Sequence, residues 1–369
     1  MESNKMKANV YAYVFKTIVN NMKAIKADKN ESDKVYFTFN DRVLNITRTI
    51  GESTDHTSYQ TWEITSITDH KPMDYDACLF CNTKEVLPVL KKFTKSSDFI
   101  SVSFAGNIIR FDNLTTKEFT TLDTFESSSS EAPILPDENY QIINIPVEGL
   151  KAVYKHCSDG KEYIARQALK GVHIKIENST ITMEGCDAHR ASIYSLTDAR
   201  LKDVKADIVM PKAAVMLALE SPHEWQTVEY SRDYCKIDGN IVYVNSLYQY
   251  PNLQNIVPQH CNSELSVDLA ELERALKGLK GTTNKADGVK VDAGSIASER
   301  SGACLSSARA ENWEAISLKR SSLLDFIQSI KTFADAAKIY LHKDIKSNCV
   351  KITTDSASNY TGVLARTIE

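Results

Sequence analysis

A carboxylate, an imidazole and a guanidinium lie close together in this chain, at Asp187, His189 and Arg190. In principle the first two could exchange a proton with a substrate while Arg190 held an anion. Alternate side chains in so short a turn diverge from one another, however. The sequence also shows no nucleophile elbow, phosphate loop or cluster of carboxylates for metal ions. We therefore interpret the segment as a structural loop, and keep an enzyme acting through Asp187 and His189 as an alternative.

Two cysteines with a metal-ligand spacing, Cys78 and Cys81, lie inside the apolar segment ACLFC, and no second pair follows. This pattern is more typical of thiols buried in a strand than of a metal site. We predict no metal and no cofactor. The eight cysteines have no disulfide framework, the N-terminus does not resemble a secretion signal, and no apolar run reaches the roughly 20 residues of a membrane span. A cytoplasmic location is expected.

The basic residues are unevenly distributed, although the net charge is −4. Six segments have helical periodicity: 10–29, 81–95, 146–157, 211–221, 268–280 and 318–331. They carry 17 Lys or Arg and 8 Asp or Glu, a net charge of +9, while the remainder carries 27 basic and 40 acidic residues. Solvated helix faces alone could produce this pattern. It is also the pattern of a positive surface that contacts phosphates.

Most of these basic residues recur at spacings that place them on one face of a helix. Lysine contacts phosphates without reading bases, and few aromatic residues accompany the lysines, which argues against stacking on single strands. The candidate DNA-contacting residues are Lys16, Lys23, Lys26, Lys84, Lys91, Lys95, Lys151, Lys155, Arg274 and Lys277.

One structural unit, an alternating strand followed by an amphipathic helix and a second strand pair, occurs three times. Val86, Val215 and Leu323 mark equivalent helix positions in segments that begin ACLFCNTKEV, DIVMPKAAV and EAISLKRSS. An interval of more than 100 residues is that of whole domains rather than of a solenoid. Period-two strands with two helices per domain predict an α+β fold with antiparallel sheets. The predicted domains are 1–128, 129–260 and 261–369.

Three segments carry a resemblance to a known family. They are ALKGVHIKIENSTITMEGCDAHRASIYSL (168–196), DIVMPKAAVMLALE (207–220) and SLYQYPNLQNIVP (246–258). Their order and spacing are similar to those of the bacterial sliding clamp, the beta subunit of DNA polymerase III. The resemblance implies three similar clamp domains per chain and a head-to-tail dimeric ring whose central channel is lined by helices. It also implies a processivity factor rather than an enzyme. The expected partners are sequence-independent duplex DNA, a polymerase catalytic subunit, a clamp loader ATPase and a second copy of the chain, with no membrane.

The resemblance also implies a cleft that binds a short segment of a partner protein. Carried over by position, its residues are Leu169, Cys186, Ala188, His189, Arg190, Ala191, Pro251, Asn255, Ile256, Val363, Leu364, Ala365 and Arg366. The chain departs from the family at Cys186, Ala188, Ala191 and Leu364, where the family has threonine, glycine, leucine and proline. The expected subunit contact joins a strand at Phe119 to a helix at Leu272 and Leu276. Two alternatives stay open: a nucleic-acid enzyme using Asp187 and His189, and a DNA-independent scaffold with the same fold.

Overall fold

The computed structural model describes residues 6–25, 27, 32–40, 43–51, 57–65, 77–95, 97–127, 133, 135–136, 138–158, 168–244, 249–281, 287–333, 336–344 and 347–366. Contacts group the chain into two compact units. Unit 1 comprises Met1–Ile142 and Glu229–Val244, and unit 2 comprises Ile143–Val228 and Asn245–Glu369. The three similar domains, with boundaries after residues 128 and 260, were predicted from repeated sequence patterns rather than from contacts, and they stay a prediction.

Six α-helices lie within the described residues, each inside a segment predicted as helical. They are α1 (Ala12–Ala24), α2 (Thr83–Lys92), α3 (Val147–Val153), α4 (Lys212–Leu219), α5 (Leu269–Gly278) and α6 (Arg320–Ile330). All are shorter than their predicted segments. A 3-10 turn, Tyr154–His156, extends α3.

The strands of the described residues pair in antiparallel sheets, as predicted. In chain order they are β1 (Met6–Tyr11), β2 (Ser32–Asn40), β3 (Val43–Gly51), β4 (Thr57–Thr65), β5 (Ala77–Asn82), β6 (Phe99–Ala105), β7 (Ile108–Asn113), β8 (Phe119–Asp123), β9 (Phe125–Ser127), β10 (Gln141–Pro146), β11 (Gly171–Glu177), β12 (Thr180–Cys186), β13 (Arg190–Thr197), β14 (Ala206–Pro211), β15 (Trp225–Tyr230), β16 (Tyr234–Ile237), β17 (Asn240–Tyr243), β18 (Ser263–Asp268), β19 (Gly288–Asp292), β20 (Ser295–Ala297), β21 (Gly302–Cys304), β22 (Arg309–Glu311), β23 (Ile316–Lys319), β24 (Lys338–Lys343), β25 (Cys349–Thr354) and β26 (Tyr360–Ala365).

Unit 1 packs α1 and α2 against one another and against two sheets. One sheet has the order β1-β6-β7-β8, and the other includes β16-β17-β4-β3-β2-β5-β9. Alternation in the β2–β3 hairpin directs Val35 and Phe37 into the core, where they join Phe15 of α1 and Leu90 of α2. Burial of this apolar surface is the main stabilising contribution of the unit.

A buried arginine marks the end of α1 in unit 1. The Nη1 atom of Arg48 donates hydrogen bonds to the carbonyl oxygens of Met22 and Ile25, at 2.6 and 3.1 Å. Its Nε atom pairs with Asp33 at 2.7 Å. Arg48 thereby satisfies carbonyl groups that a helix end leaves without a partner. The helix ends at Ala24 rather than at 29, and Ile25 already has an extended backbone. The arginine that binds this helix end comes from a strand that is distant in sequence.

Unit 2 contains a nine-stranded sheet with the order β14-β11-β12-β13-β26-β25-β24-β18-β22, and a smaller sheet with the order β21-β20-β19-β23. Helices α4, α3, α6 and α5 contact one another in that order. They cover one face of the large sheet through contacts with β11 and β14, β12 and β13, β26, and β18. The opposite face of the large sheet, near β13 and β26, carries the candidate cleft.

Candidate functional site

The loop that contains Asp187 joins β12 to β13. Its carboxylate Oδ1 accepts hydrogen bonds from the backbone N–H groups of His189 and Arg190, both at 3.0 Å, and Oδ2 pairs with the Arg190 Nε at 2.8 Å. Ala188 has a left-handed backbone with φ 74°. The carboxylate therefore holds the turn rather than orienting the His189 ring. This geometry agrees with the interpretation as a structural loop and does not favour an enzyme acting through Asp187 and His189.

Arg190 connects this loop to the helices on the other face of the sheet. Its guanidinium forms an ion pair with Asp325 of α6 and donates to the carbonyl oxygen of Lys155 at 3.5 Å. Burial acts to lower the pKa of Arg190, but the carboxylates of Asp325 and Asp187 outweigh this effect, so the pKa is raised above its ordinary value. The side chain is thus a charged tie between loop and helix, and it does not point into the apolar cleft.

Four predicted cleft residues form one apolar cluster on the face of the sheet away from the helices. Leu169, Cys186, Ala191 and Val363 lie together in one group of buried apolar residues, which we call the cleft cluster. Strand register explains it, because Ala191 of β13 lies opposite both Cys186 of β12 and Val363 of β26. Its further buried members, which the sequence analysis did not identify, are Ala168, Ile193, Tyr250 and Leu253.

The segment after β17 forms the exposed edge of the cleft cluster. Pro251, Asn255 and Ile256 are exposed, and the Ile256 side chain keeps 42% of its surface accessible. Leu253, from the same 3-10 turn, inserts into the cluster and anchors the segment. Exposed apolar atoms beside a buried apolar floor are what a partner's apolar side chain requires.

The predicted cleft residues 363–366 lie on or directly after β26, a central strand of the sheet. In β26, Val363 contacts the cleft cluster, whereas Leu364 is buried on the helix-covered face of the sheet. The N–H of Ala365 donates to the His189 carbonyl at 3.0 Å, and that of Arg366 donates to Asn348 at 2.9 Å. Side chains that alternate along a strand cannot line one cleft. Leu364 is therefore removed from the cleft wall.

A histidine held between two carboxylates packs against one member of the cleft cluster, Tyr250. The His173 imidazole lies between two carboxylates, with Nδ1 2.7 Å from Glu184 and Nε2 2.9 Å from Asp207. The Tyr250 ring stacks on His173, and its hydroxyl donates to the Glu184 carbonyl at 3.2 Å. Burial raises the pKa of Tyr250 well above its usual value. These contacts fix Tyr250, and through it the start of the exposed segment 251–256.

The predicted DNA-contacting residues in the described part of the chain are mostly exposed. Those in unit 1 lie on α1, on α2 or just after α2, and Lys26 falls outside the described residues. Lys16, Lys23, Lys84, Lys91, Lys95, Lys151, Arg274 and Lys277 are exposed, and Lys155 is half-buried. Lys277 is partly neutralised by Glu273 at 2.7 Å. Among the described residues, none of the other predicted lysines forms an ion pair.

The residues predicted at a subunit contact differ in exposure. Phe119 lies on β8, at the end of its sheet, with 58% of its surface exposed and the Arg110 guanidinium 4.1 Å above its ring. Leu272 and Leu276 belong to α5 and are completely buried. Apolar periodicity in an amphipathic helix marks the side facing its own core. Neither leucine has surface to offer a second chain, so both are removed from the predicted interface.

The cysteine pair lies in the core of unit 1. Cys78 and Cys81 are buried in β5, and burial, with a smaller effect of Glu85, raises the pKa of Cys81 to about 12. Such a thiol stays protonated and does not act as a nucleophile. Among the described residues no group of His, Cys, Asp and Glu side chains is arranged to hold a metal ion. Each described helix is too short or too polar to cross a lipid bilayer.

Comparison with known proteins gives a match in structure. No family model and no curated protein matches the sequence. The chain is similar to DNA polymerase III subunit beta of Borrelia burgdorferi, with TM-score 0.76 and 14% identity over 99% of this chain and 98% of that one. A Pseudomonas aeruginosa sliding clamp bound to griselimycin gives 0.77, 12%, 99% and 100%, and a Helicobacter pylori beta clamp bound to a DNA ligase peptide gives 0.71, 15%, 98% and 100%. At these identities the likeness establishes the fold: the predicted α+β clamp fold is confirmed.

Proposed function

We propose that this protein is a DNA sliding clamp, which encircles duplex DNA without reading its sequence and tethers a replicative polymerase to its template. Tethering converts repeated rebinding into an encounter at high effective concentration, and so makes synthesis processive. The protein itself catalyses no reaction in this role. Synthesis belongs to the catalytic subunit of the polymerase, and an ATP-driven loader opens the ring.

The observation that carries the proposal is the extent of the structural likeness. It covers at least 98% of this chain and at least 98% of each sliding clamp compared above. A single domain shared by chance among unrelated proteins would match only part of each chain. Fold alone does not dictate function, so the proposal also depends on which side chains the surface exposes.

The exposed helix lysines suit a surface that slides along DNA. Lys16 and Lys23 of α1 and Lys84 and Lys91 of α2 present flexible, strongly hydrated charges. Such charges contact phosphates of any sequence, at a cost in affinity as salt rises. The contacts position DNA but carry no base specificity. This is the weak, uniform attraction that a mobile ring needs.

The cleft cluster suits a short partner segment. A large apolar side chain of the partner would lie against Ile256 and Pro251, above the buried floor that Val363 and Ala191 form. Full burial of one such side chain contributes about 1.5–3 kcal/mol. The Helicobacter pylori clamp was solved with a DNA ligase peptide. For this chain we propose peptide segments of a polymerase subunit and of the clamp loader ATPase as the occupants.

A ring of two chains joined head to tail completes the proposal. Among the described strands β8 is the last of its sheet and carries the exposed Phe119, and pairing of this edge with a second copy would cover both. The corresponding surface near α5 would come from residues other than Leu272 and Leu276. The ring would function in the cytoplasm, where the DNA and the loader are found.

Retention on closed DNA tests the proposal directly. The purified chain would be loaded by its clamp loader and ATP onto a nicked circular plasmid, and separated by gel filtration before and after a restriction enzyme linearises the DNA. A topological ring stays on the circle and is lost from the linear molecule. A DNA-independent scaffold would be absent from both fractions, and a protein bound only by charge would be equally present on both. Either of the last two results would refute the clamp function.

A further inference from the structure

An exposed aromatic pair accompanies the lysines of α1, which the sequence analysis did not foresee. Tyr11 ends β1 and Tyr13 lies in the first turn of α1, with 50% and 56% of their surfaces exposed. The two rings are stacked, with centroids 5.9 Å apart and planes 21° apart. Phe99 meets the Tyr11 ring edge-on at 5.2 Å and braces it. The pair is therefore a preorganised aromatic surface open to solvent.

Positive charges flank this surface. Lys16 follows Tyr13 by three residues and so lies on the same side of the helix. The N–H of Ala12 donates to the Asp98 carbonyl at 3.0 Å, and the N–H of Asp98 donates to the Lys95 carbonyl at 3.1 Å. The exposed Lys95 is thereby held next to the start of α1. Asp98 itself is buried and engaged with Asn113 at 2.7 Å, so its carboxylate does not oppose these lysines.

Rings flanked by lysines recognise one chemical class in particular. Unpaired nucleic-acid bases stack on aromatic side chains whatever their sequence, while nearby lysines neutralise the adjoining phosphates. Inside a duplex the bases are already stacked on each other on both faces.

We infer that Tyr11 and Tyr13, with Lys16 and Lys95, form a binding site for the single-stranded portion of a DNA junction. The inference rests on the proposed sliding-clamp function, since it assumes that duplex DNA lies against α1 and α2. The site would hold an unpaired base beside the point where the duplex ends. It would favour a clamp position next to a primer terminus over positions along a blunt duplex.

Three DNA molecules test the site in a fluorescence anisotropy titration: a short blunt duplex, the same duplex with a single-stranded extension, and the same extension made of abasic nucleotides. The abasic extension has equal phosphate charge but no rings. We expect the wild-type chain to bind the normal extension at least about fivefold more tightly than the abasic one, the lower end of the stacking contribution of one base. The fluorescence of a 2-aminopurine base placed in the extension should be quenched on binding, because the base stacks on the tyrosine rings.

The double variant Tyr11→Leu and Tyr13→Leu should lose this difference, while the variant with phenylalanine at both positions should keep it. Phe125→Leu, at an exposed aromatic residue of β9 elsewhere in unit 1, is the matched control and should behave as wild type. Equal binding of normal and abasic extensions by the wild-type chain would overturn the site, as would a leucine variant that keeps the preference. If the wild-type chain bound the extended DNA but showed no binding to the blunt duplex, the result would count against the sliding-clamp function and not against the site.

Discussion

The ring of Tyr250 lies stacked on the imidazole of His173, with centroids 4.7 Å apart and planes 19° apart. The imidazole is in turn held by carboxylates of Glu184 and Asp207. One end of the exposed segment of the cleft therefore depends on a group that titrates near neutral pH. The relationship links the protonation of a histidine to the position of a proposed binding surface.

This link predicts a pH-dependent stability. Burial acts to lower the pKa of His173, but the hydrogen bonds that its ring N–H groups donate to Glu184 and then to Asp207 outweigh it, so the pKa is raised. A raised folded-state pKa means that the stabilisation is full below the unfolded-state pKa and is lost as pH rises through the folded-state pKa. The free-energy difference between wild type and His173→Gln should be about 2 kcal/mol in mild acid and should shrink on the alkaline side of neutrality.

Urea unfolding of both proteins across that pH range measures the difference. The groups facing His173 are Glu184, Asp207 and Tyr250, with Lys175 near the two carboxylates. Other histidines titrate alike in both proteins and cancel. A difference that stayed constant or grew with pH would show that the imidazole is not held as a cation.

A second prediction concerns the backbone of the loop. Ala188 has φ 74°, a conformation that costs an L-residue about 1–2 kcal/mol. Glycine adopts it freely but loses about 0.5–1 kcal/mol more conformational entropy on folding. Ala188→Gly should therefore stabilise the chain by up to about 1 kcal/mol, measured as a higher midpoint of thermal unfolding. Ala191→Gly, in the adjoining strand, is the control and should destabilise. A less stable Ala188→Gly protein would contradict the left-handed conformation.

A third prediction tests the edge of the cleft. Ile256→Ser should weaken the binding of a short peptide that bears a glutamine and two large apolar side chains. The affinity should fall by about five- to tenfold, because part of one apolar contact is lost. Ile142→Ser, at another exposed isoleucine, should leave the affinity unchanged. Calorimetry with the two variants and the wild type measures this. Equal affinity of the Ile256→Ser protein would place the peptide elsewhere. Truncation after Gly362 is no substitute, because it would remove the second half of strand β26 from the sheet.

The fourth prediction concerns charge on the helices. Glutamate at Lys16, Lys23 and Lys91 should weaken association with duplex DNA to a similar degree for all sequences. The logarithm of the binding constant should fall with the logarithm of salt concentration at about −0.9 per phosphate neutralised, and this slope should be shallower in the variant. The control makes the same change of net charge at exposed lysines outside the helices, Lys117, Lys202 and Lys290. Equal losses in the two variants would mean that only total charge matters.

The fifth prediction concerns assembly. Phe119→Asp places a carboxylate on the exposed edge strand and should produce monomers in sedimentation, while Phe125→Asp, at a comparably exposed ring, should not. Burying an unpaired charge in an interface costs far more than the lost ring contact. A Phe119→Asp protein that stayed dimeric would exclude β8 from the subunit contact.

Much of the fold could be predicted because it depends on local pattern. Periodic apolar residues identified all six described helices, and alternation identified the hairpin that directs Val35 and Phe37 inward. Helix ends were less predictable. The carbonyl groups at the end of α1 are bound by Arg48, a residue whose position follows only from sheet pairing.

The candidate site shows the same division. The motif around Asp187 located the loop, and the family resemblance predicted that Leu169, Cys186 and Val363 lie near it. The sequence could not reveal that Tyr250 and Leu253 complete the cluster, since their neighbours are set by the packing of a 3-10 turn on a distant strand. The sequence also did not show that Tyr11 and Tyr13 are exposed, because a tyrosine is as typical of a protein core as of a surface.

The sequence alone determined which segments form helices and strands and how charge is divided between the helices and the rest of the chain, because both follow from the order of side chains along one element. The tertiary structure alone decided which side of each element stays exposed. Leu276 and Phe119 are both apolar, yet one is completely buried and the other lies open on an edge strand. Val363 and Leu364 are neighbours, yet they lie on opposite faces of one sheet. Exposure depends on which distant segments cover a residue, and long-range pairing settles that only when the chain has folded.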